Sequence, residues 1–338
     1  MFREYLQQII QGQDLTSKQT ADLMAAIFDG KAGHAQIGAF MGALATKGET
    51  VEELSGAAVA MRRRAGRIQT MDPVVVDTCG TGGDGSDTFN ISTTAAFVVA
   101  GCGVTVAKHG NRSVSSRCGS ADVLEALGLR LDTPPEMVEA AVADIGIGFL
   151  FAPLYHGAMR HAAAARREIG LRSIFNMLGP LTNPAGAGCQ LIGVYAPALT
   201  EMFALALKHL GARSAWVVHG HDGMDEISTC APTRVSALKN GVIKTCDLMP
   251  DQFFDPPADH QELAGGSPDV NARITRDILN GRPGPRRDIV VLNAAAALVV
   301  AGRAADIADG IELAADAIDS GAALDKLERL VEFSINGG

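Results

Sequence analysis

The sequence predicts an α/β protein built from a small N-terminal helical domain and a larger domain whose mainly parallel sheet is flanked by helices. Three observations predict it. Residues 1–70 carry only helical patterning. Short β-branched runs alternate with Ala-rich helical stretches from Pro73 onward, and roughly the last fifty residues return to helical spacing. With 338 residues, 47% of them hydrophobic, the chain can fill a large core and is long enough for two domains.

The elements follow in order. Thr16 with Gln19 and Thr50 with Glu53 form capping boxes ahead of apolar residues at helical spacing, and Gly30 and Gly48 stand where those helices would stop. The sheet begins with "VVVDT", a helix from about Ser92, "VTVAK", a helix from about Ser120, "GFLFA" and an Ala-rich helix beginning near His156. Such alternation implies βαβ units and parallel strands. Then come "LIGVYA", a helix after Thr200, and "AWVVHG". Asn240-Gly241 between "TRVSALK" and "VIKTCDL" reads as a hairpin turn. The stretch "IGLRSIFNMLGPLTNPAGAG" breaks the α/β rhythm and is expected to pack back on the helical part. The expected division is therefore residues 1–72, with 170–188 against them, and residues 73–169 with 189–338. The segment "PDQFFDPPADHQELAGGSPD" reads as loop.

Charge and cysteine usage exclude several classes. Lys+Arg 29 against Asp+Glu 38 leaves a net charge of -9, without the uniform basic face that nucleic acid or an anionic membrane would need. Any anionic ligand must be held locally. The six cysteines form no CxxC pair, which suggests neither a zinc site nor a disulfide framework and fits a reducing cytoplasm. The charged start "MFREYLQQII" does not read as a signal peptide, and the apolar stretch Ile289 to Gly302 is too short to span a bilayer.

Two strand-to-helix turns carry the chemistry. In "VVVDTCGTGGDGSDTFNIST", Gly80, Gly82, Gly83 and Gly85 leave backbone amides bare ahead of a helix N-terminus, an arrangement that favours phosphate. On the residues alone an ordinary structural turn stays open. The loop matches neither GxxxxGK[ST] nor GxGxxG with a later ribose acid, so an ordinary nucleotide is not implied. In "VAKHGNRSVSSRCGSADVLEALG", Lys108, Arg112 and Arg117 stand among Asn111, Ser113, Ser115, Ser116 and Ser120, at the strand end where open α/β sheets hold ligands. No cysteine sits in a motif with a paired base, so no covalent nucleophile is indicated.

"DTCGTGGDGSDTFNIST", "KHGNRSVSS", "RREIGLRSIFNMLGPLTNPA" and "DGMDEIS" occur in an order and spacing that resembles the anthranilate phosphoribosyltransferase family over nearly the whole chain. The resemblance implies a nucleoside-phosphorylase-like fold, commonly dimerising through its helical domain. It implies transfer of phosphoribose from 5-phosphoribosyl-1-pyrophosphate to anthranilate with Mg2+, in tryptophan biosynthesis. It assigns the donor to Gly80, Gly83, Asp84, Thr88, Asn90, Ile91, Ser92 and Thr93, and to Lys108, His109, Gly110, Asn111, Arg112, Ser113, Val114, Ser115, Ser116 and Ser120. Anthranilate falls to Gly80, His109, Asn111, His156 and Arg166, and the metal to Ser92, Asp225 and Glu226, with Asp222 less suited. Without the resemblance, Asp225-Glu226 reads equally well as a surface acidic turn, and Arg166-Arg167 as cations at a helix C-terminus. The expected chemistry is dissociative and electrostatic, with Lys108 and His109 as the candidates for a catalytic part. Met159 and Ala165 depart from the family pattern at the acceptor wall. A pyrimidine nucleoside phosphorylase, which shares the fold, is the nearest rival.

Overall fold

A computed structural model describes residues 1–113, 117–254 and 258–337. Four helices open the chain: α1 (Phe2–Ile10), α2 (Ser17–Phe28), α3 (His34–Lys47) and α4 (Val51–Arg62). Both capping boxes form as read, with Thr16 accepting from the Gln19 amide and Thr50 from the Glu53 amide. Glu53 does more than cap. Its buried carboxylate also accepts from the Leu15 amide at 3.0 Å and pairs with Lys47 at 3.0 Å, so three helix ends share one charge that is fully hydrogen-bonded. Gly56 lets α4 cross the start of α2 closely, because a Cβ there would lie 2.2 Å from the Ser17 carbonyl oxygen.

The sheet and its helices follow: β1 (Val75–Gly80), α5 (Ile91–Gly101), β2 (Thr105–Gly110), α6 (Ser120–Ala126), α7 (Pro135–Asp144), β3 (Ile147–Phe151), α8 (Ala152–Tyr155), α9 (Arg160–Ile169), α10 (Ile174–Met177), β4 (Cys189–Gly193), α11 (Leu199–His209), β5 (Ser214–Gly220), β6 (Thr233–Lys239) and β7 (Val242–Leu248). Helices α12 (Pro268–Leu279), α13 (Pro285–Ala301), α14 (Ile307–Asp319) and α15 (Ala322–Asn336) close the chain. Strand order is β3-β2-β1-β4-β5-β6-β7, parallel through β5 and antiparallel beyond it. Asn240 and Gly241, at φ 52° and 74°, make the β6–β7 turn with both central residues left-handed.

One apolar cluster joins α5, α13, α14 and α15 to one face of the sheet. A second joins β4, β5 and α11 to Phe28, Phe40 and Leu54 of the helical part, and to Ile174, Phe175 and Leu178 around α10. Successive strands leave β1 in opposite directions, so the β1–β4 boundary is the topological switch point, where open α/β sheets hold ligands. The sheet is uneven there. β1 pairs with β4 out to Gly80↔Gly193, whereas β1 and β2 pair only at Val75↔Thr105 and Val76↔Val106.

Candidate active site

β1 and β4 both end in glycine, and the loop after β5 explains why. A Cβ on Gly193 would lie 1.5 Å from the Asp225 carbonyl oxygen, and one on Gly80 would lie 2.5 Å from Asp225 Oδ2. The acidic loop is therefore laid across the two strand ends. Asp225 Oδ2 accepts from the Gly82 amide at 2.9 Å, Glu226 Oε1 accepts from the Ser92 amide at 3.1 Å, and Asp84 Oδ2 accepts from the Asp225 amide at 3.3 Å. Glu226 thus sits at the N-terminus of α5, where its charge meets the positive end of the helix. Asp222 is turned into its own loop, accepting from the Ser228 hydroxyl at 2.6 Å and the Met224 amide at 3.3 Å.

Asp225 and Glu226 are each half-buried. Desolvation still dominates their ionisation: it raises Asp225 to about 7, with Asp84 adding to the rise, and Glu226 to about 8, with Asp225 adding. Two adjacent hard oxygen donors that resist carrying their charges side by side form a set that a divalent cation would relieve. Among the described residues no group of three or more His, Cys, Asp or Glu converges. The pair fits a cation such as Mg2+ that draws its remaining ligands from water and substrate. Lys108, 3% exposed, lies behind the carboxylates and donates to the Thr78 carbonyl. Burial lowers its pKa, and Asp77 is the largest opposing influence.

The β2–α6 loop is built around Ser120. A Cβ on Gly110 would meet Ser120 Oγ at 2.2 Å, and that hydroxyl bridges the Asn111 amide and carbonyl, each at 3.2 Å. Several residues read for the donor side already have partners within the protein. The Arg112 guanidinium is forked on Glu125 at 2.7 and 2.9 Å and reaches Asp122 at 3.0 Å, so its charge is already committed. Arg117 lies 3.6 Å from Asp87. Ile91 and Thr93 are buried, and the Ile91 amide donates to the Phe89 carbonyl. Asn90 donates to the Cys118 carbonyl and accepts from Asn271. The Ser113 amide donates to Asp122. Val114, Ser115 and Ser116 lie outside the described residues.

On the acceptor side, His109 and His156 meet through their Nε2 atoms at 3.2 Å, both rings buried. His109 Nδ1 faces the Gly179 carbonyl at 3.1 Å, and a carbonyl only accepts, so Nδ1 carries the proton. His156 then donates Nε2–H to the His109 Nε2 lone pair. His109, read above as a candidate for a catalytic part, therefore has both ring nitrogens engaged. Desolvation lowers His109 to about 3, helped by His156, and His156 to about 4. We therefore expect both imidazole resonances to hold still between pH 8 and 5 in a histidine NMR titration. The sign for stability follows: unfolded histidines bind protons near 6.5 and folded ones do so below about 4. The pair's contribution is therefore full above pH 6.5 and is lost as pH falls toward 4.

The Ala-rich helix begins at Arg160, and not near His156. His156, at φ -110° and ψ 46°, ends the short α8, and a single 3-10 turn over Gly157–Met159 intervenes. Arg166 near the end of α9 is half-buried, with its guanidinium 5.6 Å from the Phe175 ring centroid and no carboxylate partner among the described residues. Ala165 is buried in the core shared with the helical part, and Met159 packs against that core beside Phe28 and Met61. Sequence reasoning missed Arg172, which donates to the Gly83 carbonyl while lying 4.4 Å from the Tyr195 ring centroid. It also missed the strap around residues 259–266, where Thr88 bridges Ala264 and Gly265 donates to the Asp87 carbonyl at 2.9 Å. Neither tie has a local sequence signal.

Residues 3–65 match the family described as "Glycosyl transferase family, helical bundle domain", and residues 72–324 match "Glycosyl transferase family, a/b domain". The chain is 66% identical to an anthranilate phosphoribosyltransferase of Syntrophobacter fumaroxidans across 99% of both chains. It is 65% identical to one of Desulfatibacillum aliphaticivorans across the whole of both. Its fold matches the crystal structure of the Thermus thermophilus enzyme with a TM-score of 0.93 at 41% identity, covering 98% of this chain and 99% of that one. It also matches the Saccharomyces cerevisiae enzyme in complex with PRPP and Mg, with a TM-score of 0.91 at 28% identity, covering 100% and 98%.

Proposed function

The chain belongs to the anthranilate phosphoribosyltransferase family, and from that premise we propose how its residues divide the work of the reaction. The protein transfers the phosphoribosyl group of 5-phosphoribosyl-1-pyrophosphate to the amine of anthranilate, giving N-phosphoribosyl anthranilate and pyrophosphate, in tryptophan biosynthesis, and it uses Mg2+. The donor phosphates take the Gly83–Gly85 turn of the glycine loop, the Ser120-braced turn at Asn111 and the Lys108 ammonium. Asp225, Glu226 and Ser92 hold the metal, which when bound neutralises charge on the leaving pyrophosphate. Arg166 holds the anthranilate carboxylate, and the His109–His156 pair lines that side as a neutral wall beside Asn111. Its neutrality leaves the amine lone pair free to attack, and the proton released after attack goes to water or to the released pyrophosphate. No side chain forms a covalent bond to substrate; positioning and fixed charge supply the acceleration.

The observation that carries this reading is the seating of Asp225 and Glu226 on the glycine loop at the switch point. Its test is direct. Protein mixed with anthranilate, the phosphoribosyl donor and Mg2+ should consume anthranilate fluorescence, and no loss beyond the enzyme-free control would overturn it. A variant checks the seating itself. Gly193→Ala puts a methyl where the Asp225 backbone lies, so we expect kcat/KM for the donor to fall at least about tenfold while far-UV circular dichroism stays unchanged.

Residues 1–72 form the helical domain in this reading, with 170–188 against it, and the remainder is the α/β domain. We further propose a cytoplasmic homodimer joined through the helical domain. Exposed Met1 and Ile10 on that domain support the interface, and among the described residues no helix is long and apolar enough to cross a membrane. Sedimentation at twice the 35.1 kDa chain mass is the expected result.

A further inference from the structure

Asp77 is a fully buried carboxylate that the reaction as described does not use. It lies on β1 where the sheet comes apart. With Val76 opposite Val106, a continued parallel ladder would set Thr78 opposite Lys108, its amide donating to the Ala107 carbonyl and its carbonyl accepting from the His109 amide. Side chains take those places instead. Asp77 Oδ1 accepts from the His109 amide at 3.0 Å, Asn183 Nδ2 donates to the Ala107 carbonyl at 2.8 Å, and the Lys108 ammonium donates to the Thr78 carbonyl. The remaining oxygen, Asp77 Oδ2, accepts from Asn183 Nδ2 at 2.8 Å. Asn183 cannot turn over without loss, because its Oδ1 accepts from the Ala185 amide at 2.8 Å.

We propose that Asp77, held by Asn183, is a positioning residue for phosphoribosyl transfer: the pair keeps β1 and β2 unzipped at the floor of the site, so that the Lys108 side chain passes between the strands toward the donor. Three features support the role. The gap is confined to this pair of strands, since β1 pairs with β4 and β2 with β3 to their ends. The Ala107 carbonyl and the His109 amide, which face β1 across the gap, are each taken by one of these two side chains. A buried ammonium also needs a nearby anion, and Asp77, next in the chain to the Thr78 carbonyl that Lys108 meets, is one of them. Asn183 comes from the 170–188 segment that packs with the helical part, so the spacer is braced from outside the sheet.

The inference rests on the assignment of Lys108 to the donor half of the site, and the experiment separates the two. Steady-state kinetics in both substrates, with circular dichroism and thermal unfolding, are measured for Lys108→Met, Asp77→Asn and Asn183→Ala. Lys108→Met tests the underlying assignment and should lower donor kcat/KM at least about tenfold. Asp77→Asn keeps an acceptor for the His109 amide but removes the charge and sets two amide donors against each other at Asn183. It should lower donor kcat/KM by a similar factor while anthranilate KM moves less than about threefold. Asn183→Ala should move the same constant in the same direction. If Lys108→Met is impaired while Asp77→Asn and Asn183→Ala match the parent, the spacer role is wrong. Donor and anthranilate constants that fall together with the folded fraction would also overturn it, as a purely structural effect. An unimpaired Lys108→Met removes the premise and the inference with it. Should Asp77→Asn fail to fold, Asn183→Ala decides by the same criterion.

Discussion

Asp225→Asn combined with Glu226→Gln is expected to lower kcat at saturating substrates by at least roughly a hundredfold, about 3 kcal/mol of transition-state stabilisation, with the fold intact. The size follows from what the two carboxylates face. They are hard donors beside a loop of amide dipoles and the Lys108 ammonium, and the leaving group is a polyanion. Amides in their place keep the hydrogen bonds from Gly82 and Ser92 through their carbonyl oxygens but give up the charge that holds a divalent cation. The same substitution should leave the thermal midpoint no lower than the parent's. Burial raises both carboxylates well above their ordinary range, with Asp84 adding to the rise at Asp225 and Asp225 to that at Glu226, so the native fold carries these charges at a cost. Raising Mg2+ should not restore turnover. A double variant that keeps the parent's kcat would show that these residues do not hold the metal, and a large drop in midpoint would show that they are structural.

How much of the fold and site is legible in the sequence depends on distance along the chain. Features set by neighbours are readable: the Thr16–Gln19 and Thr50–Glu53 boxes and the Asn240-Gly241 turn each reappear at the residues read for them. Each is fixed by interactions within four residues, where composition and spacing act directly. Gly80 is readable as a bare loop residue but not for its other reason, since the carboxylate it makes room for lies far along the chain. The Asp225–Gly82 hydrogen bond spans 143 residues and the Glu226–Ser92 bond 134. Arg112 shows the converse failure. It reads as a free cation because its partners Asp122 and Glu125 look only like part of the next helix, and nothing in the pattern says that the chain turns back on them. The start of the Ala-rich helix is misplaced because helical spacing runs through residues 156–159, whereas His156, at φ -110° and ψ 46°, leaves the helix with its ring against His109, a partner 47 residues away.

The acceptor side offers the clearest separation of one substrate from the other. Arg166→Ala is expected to raise anthranilate KM by about 10- to 100-fold, the equivalent of the roughly 1.5–3 kcal/mol carried by a charged hydrogen-bond pair, and to leave donor KM almost unchanged. The asymmetry comes from how the cations are used. Lys108 lies close to Asp77, Asp225 and Glu226, Arg112 is committed to Glu125 and Asp122, and Arg172 reaches the Gly83 carbonyl. Arg166 alone among them is half-buried against the Phe175 ring with no carboxylate partner among the described residues, and burial already presses its pKa downward. A guanidinium in that state gains by meeting a carboxylate, and its planar fork suits one. Arg166→Lys should recover only part of the loss, because a point charge cannot make the paired hydrogen bonds. Aniline, which has the amine and lacks the carboxylate, should react equally poorly with the parent and with Arg166→Ala, since it offers nothing for the guanidinium to hold. Loss of the Phe175 contact is controlled by the thermal midpoint of each variant. A rise in donor KM with anthranilate KM unmoved would put Arg166 in the other half of the site, and a variant that discriminates between aniline and anthranilate as strongly as the parent would show that another group reads the carboxylate.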